Sequence, residues 1–259
     1  MPRAFWKGII SFGLVAIPVK MYVGTESKTL SFHLLHKKCL TRPQQVLYCE
    51  TDNEHFSMKE TVRGYEVAKD QYVVLDESDF NKVPIKTSHA IEVLGFVEAK
   101  EIDPIYYYGS HYVEPEELGV KPFRLLKEAM EKTGRVGFVK VTFQRREHLG
   151  CLRPLEDILV LHTMHYHSEI LPRKELAPTK SEATKAELDM AISLVKAMAK
   201  DFAPEDYKDE YQEALRKVVQ AKIKGEKIIA PALPKVEIGD LMAALRASVE
   251  AAKKQPAIR

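Results

Sequence analysis

Two clusters of side chains have the residue types for metal or acid–base chemistry. The first is His162-Thr163-Met164-His165-Tyr166-His167. On a strand, His165 and His167 share a face and His162 points the other way, because side chains alternate. Two histidines at that spacing supply half of a tetrahedral metal shell, and no acid or thiol stands at a recognisable distance along the chain. The second cluster is His36-x2-Cys39 followed by Cys49-x2-Asp52, with His55 nearby. Ligand pairs that bracket a hairpin are how zinc ribbons are built, but only two of these four corners are cysteine, and aspartate is uncommon in structural zinc sites. The expectation is therefore a metal-free hairpin and edge or surface histidines, with no metal and no cofactor. Neither a P-loop, a G-x-G-x-x-G turn nor a G-x-S-x-G elbow occurs. No catalytic residue is assigned.

The basic residues are informative by position. Lys37, Lys38 and Arg42 flank the candidate hairpin, Lys82 and Lys86 follow a turn, and Arg145-Arg146 directly follow a strand ending at Phe143. Cations on extended hairpins can touch successive phosphates, and such contacts position a protein on nucleic acid without reading bases. By residue type alone they are equally surface charges in solvent. With 39 basic against 37 acidic residues the net charge is only +2, so any positive field has to be local.

The elements that carry these residues change character along the 259-residue chain. Up to about residue 170 the reading is strands and turns. Val15, Ile17 and Val19 alternate, and 71–75, 90–97, 105–113, 136–143 and 158–161 are β-branched or aromatic runs. One helix interrupts them, with Pro122 in its first turn, Phe123, Leu126 and Met130 on one face, and Gly134 to stop it. Many strands with few helices between them favour a barrel or antiparallel architecture. From about residue 180 the period becomes helical. Leu188, Ile192, Val195, Ala199 and Phe202 form one stripe behind a Thr184/Glu187 capping box. A second helix is expected from about Glu205, striped by Tyr207, Tyr211, Leu215 and Val218. A linker at 225–236 and a last helix with Ile238, Leu241, Met242, Leu245 and Val249 on one side complete the chain. That short helix must dock on its own core or on a partner.

Three scattered cysteines make no disulfide framework and point to a reducing compartment. No run reaches the roughly 18 apolar residues of a membrane span. The stretch Ile9–Val19 behind Arg3 and Lys7 superficially mimics a secretory signal. Ser11, Gly13 and Pro18, and the lack of an A-x-A-like site after Lys20, favour a buried strand pair instead.

Five segments carry a family resemblance. They are WKGIISFGLVAIPVKMY from Trp6, RGYEVAKDQYVVLDESDF at 63–80, EIDPIYY at 101–107, KTGRVGFVKVTFQRREHLGCLRP at 132–154 and DFAPEDYKDEYQEALRKVVQAK at 201–222. In this order they resemble the prokaryotic Ku proteins, the DNA-end-binding family of non-homologous end joining. The resemblance implies an α+β fold, with a strand-rich β-barrel core, a long bridging hairpin that closes a ring as a dimer, and C-terminal helices. It places a core at 1–178 with the bridge at about 30–65, a helical region packing at the dimer at 179–224, and a linker with a partner-recruiting helix at 225–259.

It further implies a non-enzymatic, homodimeric protein that binds double-stranded DNA ends without sequence preference and recruits and stimulates a multifunctional ATP-dependent DNA ligase, in the cytoplasm with the nucleoid and away from membranes. On this view Lys37, Lys38, Arg42, Lys82, Lys86, Arg145 and Arg146 face DNA, and Leu241, Met242, Leu245 and Val249 face the ligase. Two departures from the family pattern stand out. His36 and Asp52 stand where fuller cysteine sets occur, and Lys253-Lys254 is the only basic pair near the end, so no lysine-rich tail is expected. A metal-dependent nuclease built on Cys39/Cys49 or His165/His167, and a scaffold acting through the last helix, are the other readings.

Overall fold

The computed structural model describes residues 3–83, 89–144, 146–173, 183–226 and 241–254. The chain divides into two compact units, Met1–Pro172 and Arg173–Arg259. The strands of the first are β1 (Trp6–Phe12), β2 (Val15–Val23), β3 (Leu47–Cys49), β4 (Glu54–Phe56), β5 (Arg63–Ala68), β6 (Gln71–Leu75), β7 (Ala90–Glu98), β8 (Tyr107–Pro115), β9 (Arg135–Phe143), β10 (Arg146–Leu155) and β11 (Ile158–Met164). Its helices are α1 (Glu77–Asn81) and α2 (Val120–Thr133).

Seven strands close into a barrel in the order β1-β2-β8-β11-β10-β9-β7. All neighbours are antiparallel except the closing pair, where β1 runs parallel to β7 through Ile9↔Ala90 to Ser11↔Glu92. Alternation turns Ile10, Ile17, Val19, Met21, Ile91, Val113, Val139, Val141, Leu152, Leu159 and Leu161 inward, and none of them retains exposed surface. Each such side chain stabilises the fold by about 1.5–3 kcal/mol relative to exposure. Trp6 clips the first strand across the barrel, its Nε1 donating to the Thr142 carbonyl at 3.1 Å.

Pro18 is tolerated inside β2 for a local reason. It faces Ile9 on β1, whose own N–H donates to the His89 carbonyl at 3.0 Å, so that pair asks no N–H of proline. On the other side β8 has ended, and the Pro18 carbonyl accepts from Glu116 N at 2.9 Å. The β1–β2 turn uses Gly13 at φ +56°, where a side chain is disfavoured.

α2 lays Phe123, Leu126 and Met130 into the same apolar cluster as the barrel interior, as their spacing predicts. Gly119 precedes it, and a Cβ there would fall 2.5 Å from the Pro18 carbonyl oxygen. Gly134 ends it in the left-handed conformation at φ +65°.

Between β2 and β7 the chain makes an excursion that carries two small sheets. β3 pairs with β4 from Leu47↔Phe56 to Cys49↔Glu54, and β5 pairs with β6 from Arg63↔Leu75 to Ala68↔Gln71. Within 30–65 the strand-paired part thus spans 47–56, and β5 begins a separate hairpin. Tyr65 and Val73 share one face of that hairpin, Tyr72 and Val74 the other, and all four are exposed.

The second unit contains α3 (Lys185–Met198), α4 (Glu210–Lys224) and α5 (Leu241–Lys254), with α5 packed along α3. Thr184 caps α3 as expected, accepting from Glu187 N at 3.3 Å. The stripe read from the sequence does not face the packing. Met190, Ala191 and Leu194 are half-buried, whereas Leu188, Ile192 and Val195 are exposed, and Phe202 lies beyond the helix end. α4 starts at Glu210 rather than near Glu205, because Pro204–Asp206 form a 3-10 turn and Asp209 takes the cap by accepting from Gln212 N at 2.9 Å. Ile238 and most of the expected linker lie outside the described residues.

Candidate nucleic-acid interface

The excursion presents its cations on a tight turn. His36 N donates to the Thr41 carbonyl at 2.8 Å and Leu40 N to the His36 carbonyl at 2.7 Å, with Leu40 at φ +56°. This pins 36–41 and leaves Lys37 and Lys38 at the tip, with Arg42 just after; all three are exposed. Among the described residues none of the three has an ion pair. An unpaired, solvated cation neutralises a phosphate with no internal contact to break first.

The cysteines of this segment satisfy themselves in separate pairs. His36 Nδ1 lies 3.0 Å from Cys39 Sγ, and Cys39 Sγ lies 2.9 Å from Thr41 Oγ1. The Thr41 hydroxyl, followed by its backbone, holds the Cys39 thiol below its ordinary pKa. Cys49 Sγ donates to Asp52 Oδ2 at 3.2 Å. Among the described residues no three His, Cys, Asp or Glu side chains converge as metal ligands. The tyrosine and histidine of the β3–β4 hairpin, Tyr48 and His55, meet with ring centroids 5.1 Å apart and planes tilted by 49°.

The remaining expected contacts divide. Lys82, at the end of α1, is bound to Asp79 Oδ1 at 3.0 Å. Lys86 and Arg145 lie outside the described residues. Arg146 opens β10 and makes an ion pair through Nη2 with Glu169 Oε1. The Glu169 carboxylate is held below its usual range first by the Tyr166 backbone N–H and then by Arg146. Next to it Lys140 on β9 bridges to Glu147 on β10 at 2.9 Å.

The histidines do not form one cluster. β11 ends at Met164, so His165 and His167 follow the strand rather than share its face. His165 meets Tyr108 at a tilt, with ring centroids 4.7 Å apart, and His167 Nδ1 lies 3.1 Å from the Tyr106 hydroxyl. His162, on the strand, lies with Nδ1 2.9 Å from Ser110 Oγ, and its Nε2 accepts from Arg153 Nε at 2.8 Å.

Sequence reasoning missed a polar group at one end of the barrel interior. β8 turns His111 and Gly109 inward beside Val113, β11 turns Thr163 inward, and β10 turns His148 inward. Gly109 leaves the room these need: a Cβ there would lie 2.6 Å from Thr163 Oγ1 and 3.7 Å from His111 Nε2. Phe143 stacks on His148 at 4.2 Å and meets His111 edge-on at 5.3 Å. His148 Nδ1 lies 2.5 Å from the Tyr108 hydroxyl. His111 Nδ1, His148 Nε2 and Thr163 Oγ1 are buried with no hydrogen-bond partner among the described residues. Burial lowers the pKa of both imidazoles. Polar residues inside an apolar alternation leave no mark in the pattern that finds strands, which is why they escaped.

In the second unit, the stripe expected to face a partner is partly used by the chain itself. Leu241 is exposed, Met242 and Leu245 are half-buried, and Val249 is buried. An amphipathic helix this short needs such a surface, and here α3 supplies it.

The family model of the Ku70/Ku80 beta-barrel domain matches residues 11–190. The chain belongs to the Ku family. It is 43% identical over 260 residues to the non-homologous end joining protein Ku of Symbiobacterium thermophilum, covering 98% of this chain and 64% of that protein. It is 41% identical over 253 residues to the protein of that name from Archaeoglobus fulgidus, covering 97% of this chain and 100% of the relative. The Ku protein of Solibacter usitatus is 38% identical over 261 residues, with 99% and 98% covered. The chain thus spans less than two thirds of the S. thermophilum relative but the full length of others in the Ku family. The prokaryotic Ku resemblance and the barrel-based α+β fold both stand.

Proposed function

We propose that the chain binds ends of double-stranded DNA without sequence preference, as a homodimeric ring acting in non-homologous end joining. The observation that carries this is the family: relatives matched along nearly the whole chain are named for that process. Two physical features support it. Lys37, Lys38 and Arg42 form a basic tip that is unpaired among the described residues and suited to phosphates rather than bases. The β5–β6 hairpin bears apolar side chains on both faces, and a two-stranded hairpin is marginal on its own in water, so a second copy of the chain is its natural cover.

On this reading Lys82, Lys86, Arg145 and Arg146 join the DNA-facing set, and the protein performs no bond chemistry itself. It recruits an ATP-dependent DNA ligase, with exposed Leu241 the member of the α5 stripe most open to that partner. It acts in the cytoplasm with the nucleoid. Among the described residues no helix is long and apolar enough to cross a membrane.

The test is retention on linear duplex against covalently closed circles of equal mass. Strong retention on linear DNA with little on circles is expected, because a ring loads only over an end, and equal binding to both would end this reading. Affinity should drop steeply with salt because several phosphates are neutralised together. Charge reversal at Lys37, Lys38 and Arg42 should weaken binding alike for all sequences.

A further inference from the structure

We propose that Glu169 is a positioning residue for DNA binding, its carboxylate holding the place of a backbone phosphate on Arg146 until a duplex displaces it; this rests on the end-binding function proposed above. The geometry is specific. Arg146 begins β10 directly after the short connection from β9, where Gln144 sits at φ +52° and Phe143 pairs with Arg146 itself. Its guanidinium therefore stands on a strand end rather than a loose loop, and its side chain stays half exposed.

Glu169 is equally fixed. It closes the 3-10 turn His167–Glu169, and its Oε2 accepts from Tyr166 N at 2.7 Å while Oε1 engages Arg146. One oxygen anchors the carboxylate and the other offers it to the arginine. A guanidinium fork binds carboxylate and phosphate oxygens with the same planar geometry, so the two anions are true competitors.

This sets the barrel-end arginine apart from the excursion's cations. Lys37, Lys38 and Arg42 have no carboxylate among the described residues, whereas Arg146 has one held by a second hydrogen bond. The anchored oxygen Oε2 also lies 3.8 Å from His165 Nδ1, so the carboxylate keeps contacts of its own when Oε1 gives up the arginine. Docking at Arg146 is then an exchange of anions rather than the filling of an empty site. Such an exchange lowers affinity for any stray polyanion and leaves the unpaired tip to make first contact.

The experiment measures binding of the full chain to a short, blunt, labelled duplex by fluorescence anisotropy across a salt series, for wild type, Glu169→Gln, Arg146→Gln and the double variant. Glutamine keeps the acceptor for Tyr166 N but gives up the charge. E169Q should tighten binding by about two- to fivefold, the range of an exposed ion pair. It should also steepen the slope of log affinity against log salt by up to about one ion. R146Q should weaken binding, and in that background E169Q should change it by less than about twofold. Glu169→Asp, with charge kept and reach shortened, should fall between wild type and E169Q, which covers a misfolded glutamine variant.

An unchanged E169Q alongside a weakened R146Q overturns the proposal and leaves end binding intact. Equal tightening in both backgrounds also overturns it, since the effect would then be overall charge. An R146Q that binds like wild type removes Arg146 from the interface and the proposal with it. Wild-type protein that fails to bind linear duplex sinks the underlying function instead.

Discussion

At the scale of residues, the polar end of the barrel is the least expected feature and makes a prediction about pH. His148 retains 8% of its surface and Thr163 none, yet each has a polar atom without a partner among the described residues. For His111, burial is the main cause of its lowered pKa, with His148 second. For His148, burial lowers it most, the Phe143 backbone partly restores it, and Arg146 lowers it while Glu169 raises it. Both imidazoles are harder to protonate folded than at their ordinary value of 6.5. The unfolded chain therefore takes up protons first as pH falls. Stability is unaffected above about 6.5, declines as pH drops through that value towards the lowered ones, and levels off beneath them. Thermal melts from about pH 7.5 to about pH 5 should show that decline. His148→Phe, which keeps a ring to stack on Phe143, should make it shallower. Some slope must survive through His111 and His162, whose pKa values burial also lowers. A slope identical in the variant would mean that His148 is not held neutral in the folded chain.

At the scale of elements, α2 offers the sharpest test, because adjacent leucines play opposite parts. Leu126 is 4% exposed in the central cluster, and Leu125 is 70% exposed on the flank. Leu126→Ala should cost about 2–5 kcal/mol by chemical denaturation, from lost burial plus a cavity. Leu125→Ala should stay within about 0.5 kcal/mol. Equal effects would mean that the helix is rotated. This helix was legible in the sequence down to its buried face and its glycine stop, because a period of 3.6 over several turns has few alternative explanations. β10 was not legible. His148 and Gly150 stand at inward positions and interrupt the apolar alternation that marks a strand. The α3 stripe was misread for a related reason. Apolar residues lie on more than one side of that helix, and periodicity alone does not say which side the chain itself covers. Of the candidate interface, the sequence showed where the cations stand but not their counter-ions. Glu169 lies 23 positions from Arg146, and only the closing of β10 against β11 brings them together.

At the scale of the whole molecule, exposed apolar surface is the dominant fact. Tyr65, Val73, Tyr72 and Val74 on the β5–β6 hairpin are matched in the second unit by exposed Leu188, Ile192, Val195, Phe202, Tyr207 and Tyr211. Isolated exposed apolar residues are ordinary, but a hairpin apolar on both sides is a contact surface. On the homodimer proposed above, Tyr65→Lys combined with Val73→Lys, two residues opposed on one face, should shift the sedimentation velocity profile from dimer to monomer. The barrel should still melt cooperatively near the wild-type temperature, since neither residue touches its core. A dimer that persists unchanged would place the contact elsewhere and leave this hairpin unexplained.

The single parallel pairing that closes the barrel has a consequence for how the chain tolerates change in length. β2 returns antiparallel to β1 while β7 runs parallel to it, so β2 ends and β7 begins at the same rim, with only β1 between them. Sideways the two strands lie about 10 Å apart, two strand spacings, and the registers carry the end of β2 past the start of β7 along β1, with Met21 opposite Trp6 and Ala90 opposite Ile9. The excursion between β2 and β7 therefore leaves and re-enters at one rim, and the barrel asks of it only a short span across β1. Each doubling of such a loop costs only about 0.6 kcal/mol of closure entropy. The barrel works as a fixed socket, and the segment plugged into it is free to lengthen, shrink or be rebuilt for a new grip without the socket being redesigned.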